Sequence, residues 1–217
     1  MKKNKKIIQI AIDSPAAAGA GTQAKLLAKH YHLLYLDTGK IYRFIGNLKI
    51  TNPKFNYQLI KNKIGKLKLI DLNNKNLLSD EVATEASKIA KNKKIRKIVH
   101  NFQKKCAYFP SAKYRGSILD GRDITSVIMK DALLKFFITA NVKTRAMRRF
   151  KELKSLNKDI TFNEVIKSIK NRDKNDYNRK LSPLKKTKDS ILINTTNLTK
   201  RACFLKIKKI IDKKLNN

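Results

Sequence analysis

The sequence predicts an α/β domain with a mostly parallel sheet. Two observations support this fold class: short apolar segments alternate with longer segments of helical periodicity, and a turn of small residues follows the first apolar segment. The chain of 217 residues is long enough for one sizeable core, and a content of 41% hydrophobic and 31% charged residues is typical of a globular protein. We therefore expect one domain over residues 1–217.

The first elements are a strand, a small-residue turn and a helix. "KIIQIAID", which ends at Asp13, is apolar enough for a central strand buried on both faces. The basic start and the small residues after it imitate a secretory signal, but the apolar stretch is short and contains Gln9. A buried strand and a cytoplasmic protein are therefore predicted. "TQAKLLAKHY" has helical spacing, residues 33–37 predict a second strand, and the next helix begins near Thr38.

The rest of the chain continues the alternation after a less regular segment. Residues 47–76 are rich in Lys, Asn and Ile and predict an irregular or partly helical insertion, whereas residues 78–109 predict one or two helices that meet near Asn92. Strands are predicted at "GSILDGRD", at residues 133–140 and at "DSILINTT". Helices are predicted at "NVKTRAMRRFKELKSL", capped by Asn141, at "TFNEVIKSIKNRDKNDYNR" and at "LTKRACFLKIKKIIDKKL".

The net charge of +35, from 51 Lys+Arg against 16 Asp+Glu, leaves two interpretations open. One is a surface for polyanions, either nucleic acid or nucleotide phosphates. The other is a compositional bias towards Lys, which the even spread of lysines along the chain favours. The only cysteines, Cys106 and Cys203, lie far apart and the three histidines are scattered, so no zinc site or disulfide framework is predicted. No apolar stretch approaches the length of a membrane span.

The turn after the first strand, "DSPAAAGAGT", has the outline of a phosphate-binding loop. Such loops follow the pattern G-x-x-x-x-G-K-[ST], in which the lysine reaches the terminal phosphates. Here Ser14 stands at the first glycine, Gly19 keeps the second, and Ala20 replaces the lysine. Because small-residue turns after strands are common, this stretch alone leaves the presence of a nucleotide site open.

Four further stretches give the loop its context. They are "YLDTGKIYR" (35–43), "EVATEASKIAKNKKIR" (81–96), "LDGRDITSVIMKDALLKFFITANVKTRAMRRF" (119–150) and "IKNRDKNDYNR" (169–179). Together with the loop, in this order and spacing, they resemble the bacterial cytidylate kinases, the CMP/dCMP kinases of the P-loop nucleoside monophosphate kinase superfamily. The resemblance spans nearly the whole chain and is weakest over residues 47–76.

The resemblance implies a fold and a reaction. The fold is a P-loop three-layer core (1–43, 116–153 and 181–217), with a monophosphate-binding insertion at about 44–115 and a helical lid at about 154–180. The reaction is transfer of the γ-phosphoryl group of ATP to CMP or dCMP, with Mg²⁺ held mainly through ATP phosphates and water and no metal ligand set of the protein's own. A monomer is expected, with no membrane association and no specific nucleic-acid partner.

The resemblance also implies site residues. The loop residues expected to bind ATP are Ser14, Pro15, Ala16, Ala17, Ala18, Gly19, Ala20, Gly21 and Thr22. The residues expected to bind CMP are Thr38, Arg43, Ser87, Arg96, Arg122, Asp123 and Asp176. The residues expected to act in catalysis are Arg148, Arg172 and Arg179. Arg145 and Arg149 are expected to be ordinary surface residues.

Several departures from the family pattern keep three functions open. Besides Ser14 and Ala20, "DITS" replaces the usual Gly-Thr after the "GRD" motif, and Asn175 stands where an arginine is frequent. The protein is then an active kinase whose lost lysine is replaced by Arg148, Arg172, Arg179 or Lys154, a weakened homologue that binds nucleotide, or a basic nucleic-acid-binding protein on the same scaffold. The resemblance assigns cytosine reading to Ser87, Arg96 and Asp123, and their retention favours the first two functions.

Overall fold

A computed structural model describes residues 7–155 and 159–216 and contains one five-stranded parallel sheet. The strands are β1 (Ile8–Asp13), β2 (Leu34–Asp37), β3 (Gly116–Gly121), β4 (Leu134–Thr139) and β5 (Ile191–Asn194). Their spatial order is β2-β3-β1-β4-β5, so β1 lies in the middle of the sheet. The predicted α/β class and parallel sheet are confirmed, and "IIQIAI" is the central strand that its apolar composition predicts.

The α-helices of the described chain connect these strands, in some places several in succession. They are α1 (Ala20–Tyr31), α2 (Thr38–Thr51), α3 (Tyr57–Gly65), α4 (Asp80–Ile89), α5 (Lys93–Tyr108), α6 (Val142–Lys154), α7 (Phe162–Asn178) and α8 (Lys200–Asn216). The predicted break near Asn92 is confirmed, because its side chain caps α5 by accepting a hydrogen bond from the Ile95 amide. Residues 47–76, for which an irregular or partly helical insertion is predicted, contain the end of α2, all of α3, a 3-10 turn at Leu69–Asn73 and the start of another at Lys75–Leu78.

Helices cover both faces of the sheet. Because successive side chains of a strand point to opposite faces, Ile10 and Ile12 pack with α1 and α8, whereas Ala11 packs with α2 and α5. The second of these cores continues into α3 and α4, so the insertion is packed onto the sheet through a shared apolar interior. Each described helix is too short or too polar to traverse a lipid bilayer.

Helix α7 packs on α6 through a small apolar cluster of its own, formed by Ala146, Leu153, Val165 and Ile169. A reciprocal cap starts α7: the Thr161 hydroxyl accepts from the Glu164 amide, and the Glu164 carboxylate accepts from the Thr161 amide. The predicted lid at about 154–180 consists largely of α7, and its residues 156–158 lie outside the described residues.

Three strands end in aspartates or next to them at one edge of the sheet. Asp37 at the end of β2 is in register with Asp120 on β3, and Asp13 at the end of β1 is in register with Gly121. Because parallel strands bring their carboxyl ends to a single edge, polar side chains from distant parts of the sequence meet there.

Candidate active site

The loop from Ser14 to Thr22 connects β1 to α1 at this edge. Gly19 caps α1 with φ of 92°, and Ala17 also has a positive φ, 58°, which is uncommon for a residue with a side chain. The Ser14 amide donates to the Gly121 backbone oxygen over 3.1 Å, which fastens the loop to β3. The Ala20 methyl is buried, so the loop offers backbone N–H groups and a helix N-terminus but no cation of its own.

Arg145 holds the loop from behind. Its guanidinium donates to the backbone oxygens of Ala16 and Ala140 over 3.1 and 2.9 Å, and it makes two further bonds to the Asp173 carboxylate over 3.0 and 2.5 Å. The side chain of Arg145 is 4% exposed. The expectation of a surface arginine is therefore wrong at this position: the carboxylate that permits its burial lies on α7, 28 residues further along the chain.

Arg148 and Arg149 have different surroundings although they are neighbours. Arg148 donates to the Thr195 hydroxyl and backbone oxygen over 2.9 and 2.7 Å and to the Ala18 oxygen over 3.4 Å. Arg149 lines the cleft in front of the loop, whereas Arg148 is not among the described residues that line it. Arg149 therefore lies in the cleft, where its side chain is 14% exposed and pairs with Glu152 over 2.9 Å. The Arg148 guanidinium instead contacts the backbone oxygen of Ala18 in the loop, and Thr195.

The loop opens onto a cleft of about 360 Å³ between the sheet edge, α2, α4, α6 and α7. All nine predicted loop residues line it, and so do all the residues predicted to bind CMP: Thr38, Arg43, Ser87, Arg96, Arg122, Asp123 and Asp176. Arg172 and Arg179 of the predicted catalytic set line it too. The structure thus brings together side chains from five separate sequence stretches.

The end of the cleft next to α4 is formed by a buried ion pair. Arg96 donates to the Asp123 carboxylate and, over 3.1 Å, to the Ala90 backbone oxygen, and it lies over the ring of Tyr42. Both Arg96 and Asp123 are about 5% exposed or less. Ser87 lines the same end of the cleft. This end therefore presents a fixed guanidinium and a fixed carboxylate, which suit a ligand that offers both an acceptor and a donor.

Asp13 sets the position of the turn that carries Asp123. Its carboxylate accepts from the amides of Ile124 and Thr125 over 2.7 and 2.9 Å and from the Thr125 hydroxyl over 2.5 Å. Burial raises the pKa of Asp13 to about 6, against the opposing effect of these hydrogen bonds. The central strand is thus linked directly to the pocket, through the "DITS" stretch that departs from the family pattern.

Arginines crowd the middle of the cleft. Arg122 donates to the Asp176 carboxylate over 2.7 Å, and Arg179 lies 3.8 Å from the same carboxylate and 3.9 Å from that of Asp123. Burial, and then the positive charges of Arg122 and Arg43, lower the pKa of Arg172 to about 10. Because these cations outnumber the carboxylates beside them, this part of the cleft is suited to binding polyvalent anions.

The first turn of α2 closes the side of the cleft next to β2. The Thr38 hydroxyl donates to the Asp120 backbone oxygen over 2.8 Å, which ties α2 to β3. Arg43 donates to the Leu77 and Ser79 backbone oxygens over 2.7 and 3.4 Å and thereby joins α2 to the start of α4. Both side chains face the cleft while they hold its walls together.

Three residues outside the predicted site, Asp37, Asp120 and Lys40, also line the cleft. Burial, and then the nearby Asp37 carboxylate, raise the pKa of Asp120 well above its usual value, and its Oδ1 has no hydrogen-bond partner in the part of the chain that the structure describes. Paired carboxylates with an unsatisfied oxygen fit Mg²⁺, which prefers oxygen ligands and binds through one or two carboxylates plus phosphates and water. The sequence signal that could have identified Asp37 and Asp120 is an aspartate at or next to the end of an apolar strand.

Two regions suited to anions therefore share one cleft, a strand–loop–helix turn on one side and a group of arginines beside a buried polar pair on the other. This division, on a parallel sheet with helices on both faces, places the protein in the class of P-loop nucleotide kinases. A solved structure with this architecture, an uncharacterized protein from Eubacterium ventriosum, aligns with a TM-score of 0.57 at 18% identity over 94% of this chain and 98% of the other.

The sequence comparisons narrow the class to one family. The family model for cytidylate kinase matches residues 10–213. A cytidylate kinase of Bartonella tribocorum is 41% identical over 204 residues, which cover 90% of each chain. One from Thermosipho melanesiensis is 38% identical over 95% of this chain and 97% of the relative, and one from Clostridium botulinum is 38% identical over 96% of both. The chain belongs to the cytidylate kinase family.

Proposed function

We propose that this protein transfers the γ-phosphoryl group of ATP to CMP or dCMP, giving ADP and CDP or dCDP. The observation that carries the proposal is the buried Arg96–Asp123 pair, with Ser87 beside it, in the same cleft as the loop. Cytosine offers an amino donor that a carboxylate accepts and a carbonyl acceptor for an arginine. A pocket built for both bonds discriminates strongly against bases that leave its polar groups unpaired.

The donor nucleotide is assigned to the loop. Its backbone N–H groups and the N-terminus of α1 bind the donor phosphates without help from the residue 20 side chain. Arg145, and Arg148 with Thr195, hold the loop in shape from behind. This rigid support matters because phosphoryl transfer depends mainly on positioning and on preorganised charge.

The transferred group is assigned to the middle of the cleft. The acceptor monophosphate would be bound by Arg43, Arg122 and Arg179, and Arg149 and Arg172 would face the phosphoryl group between donor and acceptor. These roles are supported by the common cleft lining and by the burial of Arg172 among other arginines, which lowers its pKa to about 10. Fixed cations at this place stabilise the charge that spreads over the equatorial oxygens during transfer.

Mg²⁺ is assigned to the carboxylates of Asp37 and Asp120, which would hold it through water and the donor phosphates. When bound it neutralises charge on the β- and γ-phosphate oxygens.

Two segments outside the core have proposed roles. The insertion at about 44–115 would carry the acceptor base. The segment at about 154–180 would close over the cleft and exclude water, so that CMP and not water receives the phosphoryl group. We further propose a cytoplasmic monomer without a specific nucleic-acid partner.

The proposal is tested by measuring ADP release with CMP, dCMP, UMP and AMP as acceptors. Turnover with CMP and dCMP well above that with UMP and AMP is expected, because the latter bases leave the Arg96–Asp123 pair imperfectly bonded. Equal rates with AMP would contradict the cytosine assignment. Tight ATP and CMP binding without measurable turnover would instead support a weakened homologue, as the missing loop lysine allows.

A further inference from the structure

The loop lacks two side chains that the general phosphate-loop pattern supplies. Ala20 stands at the lysine and Gly21 at the hydroxyl residue that follows it. The removal of one preorganised donor to a developing oxyanion lowers turnover by about 10²–10³-fold. Besides Arg149 and Arg172, which are assigned to the transferred group, retained activity therefore requires a cation from another element that reaches the donor's terminal phosphates on the side of the loop.

The cations nearest the loop in sequence or along its rear are poorly placed for this. Arg148 is bound to Thr195 and to the Ala18 backbone. Lys154 lies over the ring of Phe150 and 3.8 Å from Asp159. Neither of these two side chains, nor Lys25 on the second turn of α1, is among the described residues that line the cleft.

Lys40 occupies a better position, in the first turn of α2. Its backbone amide donates to the Asp37 carboxylate over 3.3 Å, and its side chain lines the cleft together with Ala20 and Gly21. Within residues 7–155 and 159–216, no salt bridge involves its ammonium group. The charge of Lys40 is thus available to a ligand, unlike that of Arg122 or Arg145, which is matched by a carboxylate.

The starts of α1 and α2 face each other across one carboxylate. A side-chain carbon at Gly21 would lie 3.5 Å from Asp120 Oδ2, and Asp120 is the register partner of Asp37, the cap of α2. Phosphates bound at the α1 N-terminus, with a metal ion at Asp37 and Asp120, would therefore lie next to the first turn of α2. The flexible four-carbon stem of a lysine lets its ammonium approach them from that side.

We infer that Lys40 supplies the cation that the phosphate loop has lost, binding the terminal phosphates of the donor from α2 instead of from α1. The inference rests on the proposed function, since it names a further catalytic residue for the same transfer. The positive charge that the general loop pattern places at the start of α1 then lies in the first turn of α2. Ala20 can remain small because the phosphates are already neutralised from the opposite wall.

The test is a double-mutant cycle between Lys40→Met and Ala20→Lys, read as turnover at saturating ATP and CMP. Lys40→Met is expected to lower kcat by about 10²-fold with little change in KM for CMP, because the lost contact is to the donor. Ala20→Lys alone should change kcat by less than about tenfold, yet it should restore most of the loss in the Lys40→Met background. Lys29→Met, an exposed change on the same helix as Ala20, is the matched control and should stay within about threefold of wild type.

Each outcome has a distinct meaning. If wild type turns over CMP and Lys40→Met is equally active, the inference is wrong and the proposed function stands. If Lys40→Met is slow but folded, by an unchanged melting temperature, and Ala20→Lys does not restore it, Lys40 does not replace the loop lysine. If wild type binds ATP yet turns over only after Ala20→Lys is introduced, two proposals are refuted: that Lys40 replaces the loop lysine, and that the wild-type protein is an active kinase.

Discussion

In the proposed function, base recognition depends most directly on Asp123. Asp123→Asn keeps the shape of the side chain but removes the charge that pairs with Arg96 and replaces an acceptor with a donor. We expect CMP affinity to fall by about 10–100-fold, the effect of losing a hydrogen bond to a charged group. ATP affinity should stay nearly unchanged, because the loop binds it through other groups.

Separate titrations with CMP and with ATP measure this difference. Asp189→Asn is the matched control, since that carboxylate is largely exposed and lies on the loop before β5. An unaltered CMP affinity in a folded Asp123→Asn protein would remove Asp123 from the base pocket.

At the scale of single residues, a position in the cleft could be predicted where the residue belongs to a motif. The burial of a residue could not be predicted where it depends on a distant ion-pair partner. Arg96 and Asp123 stand in recognisable stretches, and the structure places both in the cleft. Arg145 and Arg149 belong to a helix with many basic residues, and nothing local distinguishes a buried arginine from a solvated one. Only the packing of α7 against α6, which supplies Asp173, makes burial of the Arg145 guanidinium favourable.

At the scale of elements, the Arg145–Asp173 pair joins α6, α7 and the back of the phosphate loop. Arg145→Met leaves the Asp173 carboxylate and two backbone oxygens without their donor. Because removing one partner of a buried ion pair leaves the other as an uncompensated buried charge, we expect the free energy of unfolding to fall by about 3 kcal/mol.

Urea denaturation measures this loss, and Lys143→Met, an exposed change on the same helix, should alter the unfolding free energy by less than about 0.5 kcal/mol. Hydrogen exchange should also show α7 less protected in Arg145→Met than in the control. Equal stability of the two variants would mean that the apolar α6–α7 contacts alone hold these helices.

Most elements could be predicted because their signals are local. β1, β4 and β5 are apolar runs bounded by polar turns, and α5, α6 and α7 each begin at a residue that caps them, namely Asn92, Asn141 and Thr161. For residues 47–76 the sequence predicts only an irregular or partly helical insertion, because its helix and 3-10 turns are short and few of their residues are buried. The composition of the cleft could not be predicted without the order of the strands in the sheet, because that order brings Asp37 beside Asp120.

For the whole molecule, the net charge of +35 raises the question of nucleic-acid binding. If the lysines reflect compositional bias, duplex DNA and structured RNA should bind weakly, without sequence preference, and with an affinity that falls steeply as salt rises. Fluorescence anisotropy over a salt series measures this. Submicromolar, sequence-selective RNA binding at physiological salt would instead favour a nucleic-acid-binding protein on a kinase scaffold.

The crowded arginines have a further consequence for the conformational equilibrium of the molecule. Arg172 stands on α7, and Arg43 and Arg122 stand on the other walls of the cleft. Burial, and then the charges of Arg122 and Arg43, lower the pKa of Arg172, so we expect closure without a ligand to cost electrostatic free energy. We therefore expect open conformations to be favoured until phosphate-bearing molecules enter. Each nucleotide would then act as a counterion that shifts the population towards closure, and the two together would neutralise the cleft more fully than either alone.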